Sequence, residues 1–223
     1  GKVSELVAGV IHTVQHPQPP LPKIPVQVRL SNPRRSDLDY FKSLSLMLEA
    51  KMPYWQGRSE RILAVALDLN SLAGNLVNND QLEAAVLLHD LGYAFLPDAL
   101  LTKEGKYSDD ERKLMQGHPD NAAGLLRRMR HWDEAAQIVE QHHGRPDAKG
   151  YPAGLDATNL SVGAKILAIV DAFEAMTHPR PDRQYKRSML RALTEINANA
   201  GTQFCDKLVP LFNTVVRQRF GGH

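Results

Sequence analysis

An all-α fold is what this sequence predicts from about residue 36 onward, on three observations. Apolar side chains recur at threes and fours along most of that length, which is helical spacing. Helix-start signals, such as Ser108 followed three residues later by Glu111, precede several of these stretches. Strand-like alternation is confined to Ile24, Val26 and Val28, near the N-terminus.

Taken in order, Lys2 to Gln15 carries Val3, Leu6, Val7, Val10 and Ile11 at helical spacing. Pro17, Pro19, Pro20 and Pro22 then exclude both helix and inner strand and predict an extended linker. Residues 1–35 are therefore read as a helix and a proline-rich linker, and residues 36–223 as a helical bundle. Helices are expected over Asp37 to Lys51 and Ser59 to Asn75. The next starts at Asp80, runs through Leu82, Ala85, Val86 and Leu88, and stops at Gly92. The Ser108–Glu111 capping box starts a helix running toward Gln116. Asp133 to Gln141 ends at a histidine pair, and Gly144 to Asn159 reads as a loop. Val162 to Thr177, Lys186 to Asn199 and Asp206 to Arg219 complete the bundle, with Pro210 tolerated in the last helix's first turn.

The bulk numbers exclude several classes. With 27 basic and 25 acidic residues, the net charge of +2 argues against duplex nucleic acid or an anionic membrane surface as partner. A small anionic substrate needs only a local basic pocket and stays open. The single cysteine, Cys205, excludes an intrachain disulfide and suits a reducing cytosol. No stretch approaches the roughly 18 apolar residues of a spanning helix, and Leu6 to Ile11 is too short for a secretory leader.

The chemistry concentrates in four places. His89-Asp90 ends an apolar helix, where a buried carboxylate needs a partner. Alone, the dipeptide reads as a helix-terminal histidine beside a capping aspartate. His142 and His143 are adjacent and project about 100° apart on a helix, so they converge only at a helix end or turn, which Gly144 supplies. His118-Pro119 stands at a helix junction. Asp171 lies among Ile169, Val170, Ala172 and Phe173, with no lysine or arginine one turn away. Each has an ordinary structural explanation, but together they supply imidazole nitrogens and carboxylate oxygens that suit iron, manganese, nickel or zinc. His12, His16, His131, His178 and His223 are expected at the surface or in loops. The basic run Arg127 to His131 reads as a solvated helix end, since no aromatic interleaving supports base stacking.

In order along the chain stand His89-Asp90-Leu91-Gly92, His118-Pro119 with Gly124, His142-His143, Gly150-Tyr151-Pro152, Asp171 with Ala172 to Thr177, Arg180-Pro181-Asp182-Arg183, and Gly201 to Phe204. With these motifs the segment from Leu82 to Phe212 resembles an HD-GYP domain, the cyclic di-GMP phosphodiesterase branch of the HD superfamily. The resemblance implies a helical HD fold and a metal-activated hydroxide that attacks the phosphodiester in line. Asp90, His118, His142 and His143 would hold one divalent ion, and His89, Asp90 and Asp171 would share another. Arg183, Gly150, Tyr151 and Pro152 would lie near the nucleotide. The Gly-Tyr-Pro loop also implies a GGDEF-type diguanylate cyclase domain as a candidate partner, and a homodimer is a further candidate.

Three departures from the pattern bear on the chemistry. Where the family carries a ligand histidine, in a segment like His-Ser-x-Arg-Val, this chain reads Gly57-Arg58-Ser59-Glu60-Arg61-Ile62, and Tyr54 replaces a glutamate one turn earlier. A guanidinium cannot ligate a cation and repels it, so one or two metals are expected and a third is not. Tyr93 stands where the family has a lysine after the His-Asp motif. Gly144 replaces the glutamate after the histidine pair, and Pro146-Asp147-Ala148 replaces Trp-Asp-Gly. The expected function is hydrolysis of cyclic di-GMP, with Asp90, Tyr93 and Arg58 at the chemistry and Arg58 as a phosphate clamp. The alternative is a catalytically degenerate signalling module that binds metal, and nucleotide or a cyclase partner, with little turnover.

Overall fold

The computed structural model describes residues 33–52, 54–103, 105–178 and 188–221. The N-terminal helix, proline linker and short alternating segment lie outside these residues, as do Arg183 and His223. The described residues fall within one compact unit, Asn32–His223. They form helices α1 (Pro33–Lys51), α2 (Arg58–Leu72), α3 (Asn79–Leu88), α4 (Asp98–Leu101), α5 (Asp109–Gln116), α6 (His118–Leu126), α7 (Asp133–Gln141), α8 (Val162–Thr177), α9 (Met189–Ala198) and α10 (Val209–Phe220). A 3₁₀ turn, Leu91–Phe95, links α3 to α4, and no strand occurs among the described residues.

Helix α3 is the centre of the bundle because its sequence is apolar nearly all round. Leu82, Ala84, Ala85, Val86, Leu87 and Leu88 are all buried, against α1, α2 and α7. Each of the larger side chains contributes roughly 1.5–3 kcal/mol on leaving water, which offsets the cost of carrying polar groups inward at the helix's C-terminal end. Helix α8 is the second central element. Ile166, Leu167, Ile169 and Val170 are buried, and it packs on α2, α7 and α9. Trp132, fully buried ahead of α7, meets Phe41 of α1 edge-on at 5.2 Å and donates its ring N–H to Asp37 at 2.8 Å.

Local signals account for most helix ends. Ser108 and Glu111 form the full reciprocal capping box at α5. Helix α3 is capped by Asn78, whose side chain accepts from the N–H groups of Asp80 and Gln81, so the start lies just ahead of Asp80. The helix ends at Leu88, before the His-Asp pair, and Gly92 falls inside the 3₁₀ turn where sequence reading makes it the helix stop. Pro33 opens α1, earlier than the expected Asp37, at a position where a missing N–H is harmless. Helix α9 starts at Met189 with Ser188 as cap, and α10 at Val209 with Pro210 in its first turn. The 3₁₀ turn, the four-residue α4 and α6 have no counterpart in the expected elements.

A smaller apolar cluster, Leu48, Met52, Trp55, Leu96, Leu100 and Leu101, joins the end of α1 to the region after the 3₁₀ turn. It forms one wall of the cleft described next.

Candidate metal centre

His118, His142 and His143 converge where the N-terminal end of α6 meets the C-terminal end of α7. His118 is the first residue of α6, and its Nδ1 lies 2.7 Å from the Met115 carbonyl. His142 caps the C-terminus of α7, with Nδ1 2.6 Å from the Val139 carbonyl. A carbonyl oxygen can only accept, so each Nδ1 carries the proton and each Nε2 presents a lone pair. The Gly144 N–H donates to the Gln141 carbonyl at 2.7 Å, turning the chain so that the adjacent histidines face one centre. A side chain at Gly144 would meet Leu160 at 2.4 Å and the Gln141 carbonyl at 2.9 Å, so the glutamate of the family pattern has no room there.

One ring nitrogen from each of the three histidines lies within 4.8 Å of the other two. All three Nε2 atoms are buried with no hydrogen-bond partner. Buried polar atoms are seldom left so, and three together are the mark of a site built for a cation. Burial, reinforced by the neighbouring histidines, pushes His142 down to about 3 and His143 well below its ordinary value. Burial also lowers His118. Neutral imidazoles are the ligand form. Asp90 brings Oδ1 to 3.5 Å from His118 Nε2 and completes a set of three nitrogens and one carboxylate that fits a divalent ion.

The other half of the expected site differs. His89, Asp90 and Asp171 also bring ligand atoms within 4.8 Å of one another. His89 Nδ1 is tied to the Val86 carbonyl at 2.7 Å, and its Nε2 stands 3.0 Å from Asp90 Oδ2 without hydrogen-bond alignment. Arg58, the first residue of α2, reaches into this group. Its Nη2 donates to Asp90 Oδ2 at 2.8 Å and to Asp171 Oδ1 at 2.6 Å. The guanidinium lies over the Trp55 ring at 4.7 Å, and the residue is 6% exposed. Burial opposes ionisation of Asp90, but His89 and Arg58 outweigh it and hold the carboxyl well below the usual range. Burial likewise opposes the charge on Arg58, and Asp171 and Asp90 outweigh it and raise its pKa. The missing basic partner of Asp171 thus comes from α2. Two of the oxygens this half could offer an ion thus accept hydrogen bonds from a fixed cation.

Glu49 of α1 positions Arg58. This buried carboxylate accepts the N–H groups of Gly57 and Ser59 at 2.7 Å each, on either side of Arg58. It caps α2 from a neighbouring helix and supplies negative charge at the helix's positive end.

His143, Asp90, Asp171 and Arg58 face a cleft of about 710 Å³. Asp90, Arg58, Tyr93, His143 and Asp171 line its floor side, while Trp55, Tyr107, Lys103, Lys106 and Arg112 line the rest with apolar residues of the smaller cluster. Tyr93 stacks on His118, ring centroids 4.0 Å apart, so the position of the family's lysine is neutral here. Tyr151 stacks on His143 at 4.6 Å, and its N–H donates to the His143 carbonyl at 3.2 Å. Gly150 lies against the same carbonyl, where a Cβ would come within 2.3 Å. Gly150 and Tyr151 therefore buttress a histidine, and neither they nor Pro152 line the cleft. Sequence reading did not single out Lys103, Lys106 and Tyr107, two cations and an aromatic ring ahead of the Ser108 cap, because they carry no motif. His131 is exposed and His178 pairs with Glu174 at 2.9 Å, both away from the cluster.

A family model described as HD domain matches residues 42–208. The chain is 33% identical over 139 residues to 3'3'-cGAMP-specific phosphodiesterase 3 of Vibrio cholerae, covering 61% of this chain and 30% of that protein. It is 36% identical over 132 residues to the cyclic di-GMP phosphodiesterase response regulator RpfG of Xanthomonas campestris, covering 57% and 34%. The chain thus spans about a third of the length of these curated relatives. Among solved structures, the HD domain of the L. monocytogenes phosphodiesterase PgpH in complex with cyclic-di-AMP superposes with a TM-score of 0.58 at 16% identity, over 82% of this chain and 96% of that one. That likeness establishes the all-helical fold.

Proposed function

This chain belongs to the HD domain family, and from that premise we propose that it is a metal-dependent phosphohydrolase of HD-GYP type that opens a cyclic dinucleotide, cyclic di-GMP first among them. The observation that carries the reading is the set of three buried, unpartnered imidazole nitrogens beside Asp90, of which His143 and Asp90 line a cleft of about 710 Å³. The named activities of the relatives, on cyclic di-GMP and 3'3'-cGAMP, support the substrate class.

His118, His142, His143 and Asp90 would hold the ion, oriented by the Nδ1 contacts to Met115 and Val139. A divalent ion bound there supplies an activated water at neutral pH and polarises a phosphoryl oxygen. Arg58 keeps Asp90 ionised, and its Nη1, buried without an acceptor, is the donor we assign to a phosphate oxygen. Lys106 and Arg112 attract a substrate with two phosphates, Lys103 being paired with Glu111 at 2.6 Å, and Tyr107 offers a ring for a base. Tyr93 gives a hydroxyl in place of a cation, so it helps orient more than it neutralises. Iron, manganese, nickel and zinc are the ions we propose for this set of three imidazoles and a carboxylate. Among the described residues no helix is long and apolar enough to cross a membrane, and the lone cysteine fits the cytoplasm we propose for it. The resemblance supports a GGDEF-type cyclase domain as partner, and a second copy of the chain is a further candidate; pull-down and size-exclusion measurements address them.

The test is hydrolysis of cyclic di-GMP, 3'3'-cGAMP and cyclic di-AMP by protein loaded with Mn²⁺ or Fe²⁺, against a His142→Ala variant. Release of linear dinucleotide or mononucleotide by the parent alone supports the reading. Equal rates from both proteins would remove it.

A further inference from the structure

We propose that Arg58 is the resident cation of the His89–Asp90–Asp171 half of the centre, so that the chain holds a single divalent ion, on His118, His142, His143 and Asp90. The inference rests on the reading above that those four residues bind an ion, and it deepens that reading by assigning the number of ions and the group that replaces the second.

The geometry is specific. The carboxylate oxygens that a second ion would need, Asp90 Oδ2 and Asp171 Oδ1, are the two to which Arg58 Nη2 donates, at 2.8 and 2.6 Å. Asp90 divides its oxygens between the two halves: Oδ2 faces Arg58, and Oδ1 lies 3.5 Å from His118 Nε2. The carboxylate that could bridge two metals in this arrangement bridges a guanidinium and the histidine cluster.

Arg58 is built in, not resting there by chance. Its backbone is pinned by Glu49 through the N–H groups of Gly57 and Ser59, and the Ser45 and Ser59 hydroxyls meet at 2.6 Å beside it. Trp55 covers the guanidinium at 4.7 Å. A guanidinium keeps its charge at every accessible pH, so no change of protonation frees the carboxylates for an ion. It has no lone pair to offer as a ligand, so it can take the place of a metal but not help to hold one.

The experiment measures ions per chain by elemental analysis after loading with excess Mn²⁺ and desalting, together with the Mn²⁺ electron paramagnetic resonance spectrum. The parent protein is expected to retain about one ion with the spectrum of an isolated centre. Asp171→Asn is expected to keep that ion, because Asp171 serves the guanidinium. His142→Ala is expected to lose it. Arg58→His, which removes the charge and adds a ligand, is expected to rise toward about two ions with an exchange-coupled spectrum. Two coupled ions in the parent, or loss of the ion from Asp171→Asn, would overturn the inference while leaving the phosphohydrolase reading intact. An Arg58→His protein that stays at one ion would count against Arg58 as the excluding group. A parent that binds no ion would overturn the phosphohydrolase reading itself.

Discussion

Replacing Arg58 by methionine keeps a long apolar stem beside Trp55 and removes the guanidinium, charge and donors together. Two buried carboxylate contacts, at 2.8 and 2.6 Å, and the ring contact at 4.7 Å are lost together. Breaking a buried ion pair by deleting one partner costs about 3–5 kcal/mol, because the remaining charge has no compensation. In the presence of chelator the variant should therefore unfold about 3–5 kcal/mol more easily, a drop of roughly 6–20 °C in Tm for a domain of this size. The deficit should shrink when Mn²⁺ is added. In the parent, a divalent ion about 4 Å from the guanidinium would be repelled by roughly 8 kcal/mol at an effective dielectric of 20, so the vacated half of the site becomes usable only in the variant. An ion at 100 times its Kd restores about 2.7 kcal/mol. Urea denaturation of both proteins, with chelator and with Mn²⁺, measures all four quantities. A variant within about 1 kcal/mol of the parent in chelator would refute the argument that Arg58 neutralises Asp90 and Asp171.

Stability of the metal-free protein should fall as pH drops below about 6.5, because His142 is held near 3 in the fold against an ordinary 6.5, so the unfolded chain takes up the proton first. The slope from His142 alone reaches about 1.4 kcal/mol per pH unit, His143 and His118 act in the same sense, and His89, raised in the fold, acts with opposite sign above 6.5. Urea midpoints that are flat or rise between pH 7 and pH 5 would contradict this. Gly92→Ala should cost about 3 kcal/mol and weaken ion binding, since the added carbon would stand 1.9 Å from the His118 carbonyl oxygen; a thermal melt and metal titration check it. Lys106→Ala and Arg112→Ala should each raise KM for a cyclic dinucleotide roughly tenfold with kcat little changed, more so at low salt, as steady-state kinetics at two ionic strengths would show.

Where the chain's local chemistry decides the outcome, the elements were legible. The Ser108–Glu111 capping box, the Asp133–Gln141 helix that ends at the histidine pair, and the apolar Val162–Thr177 helix all lie where spacing and capping place them. Helix α6 was given no bounds, although His118-Pro119 read as a helix junction and Arg127 to His131 as a helix end; proline in its first turn marks the start. The 3₁₀ turn and four-residue α4 are too short for any periodicity to show.

The sequence by itself determined the helical class and the order of the metal-ligand candidates, because helix spacing and ligand type are properties of neighbouring residues. It also flagged Arg58 as a residue that cannot ligate. Only the tertiary structure decided what Arg58 does instead: its partners Asp90 and Asp171 lie 32 and 113 residues away along the chain, and which charge neutralises which is settled by packing. The same holds for the Glu49 cap on α2 and for the cleft wall that gathers Trp55, Lys106 and Arg112. Desolvation and Coulomb energy depend on distance through the folded molecule, and no local pattern records that distance.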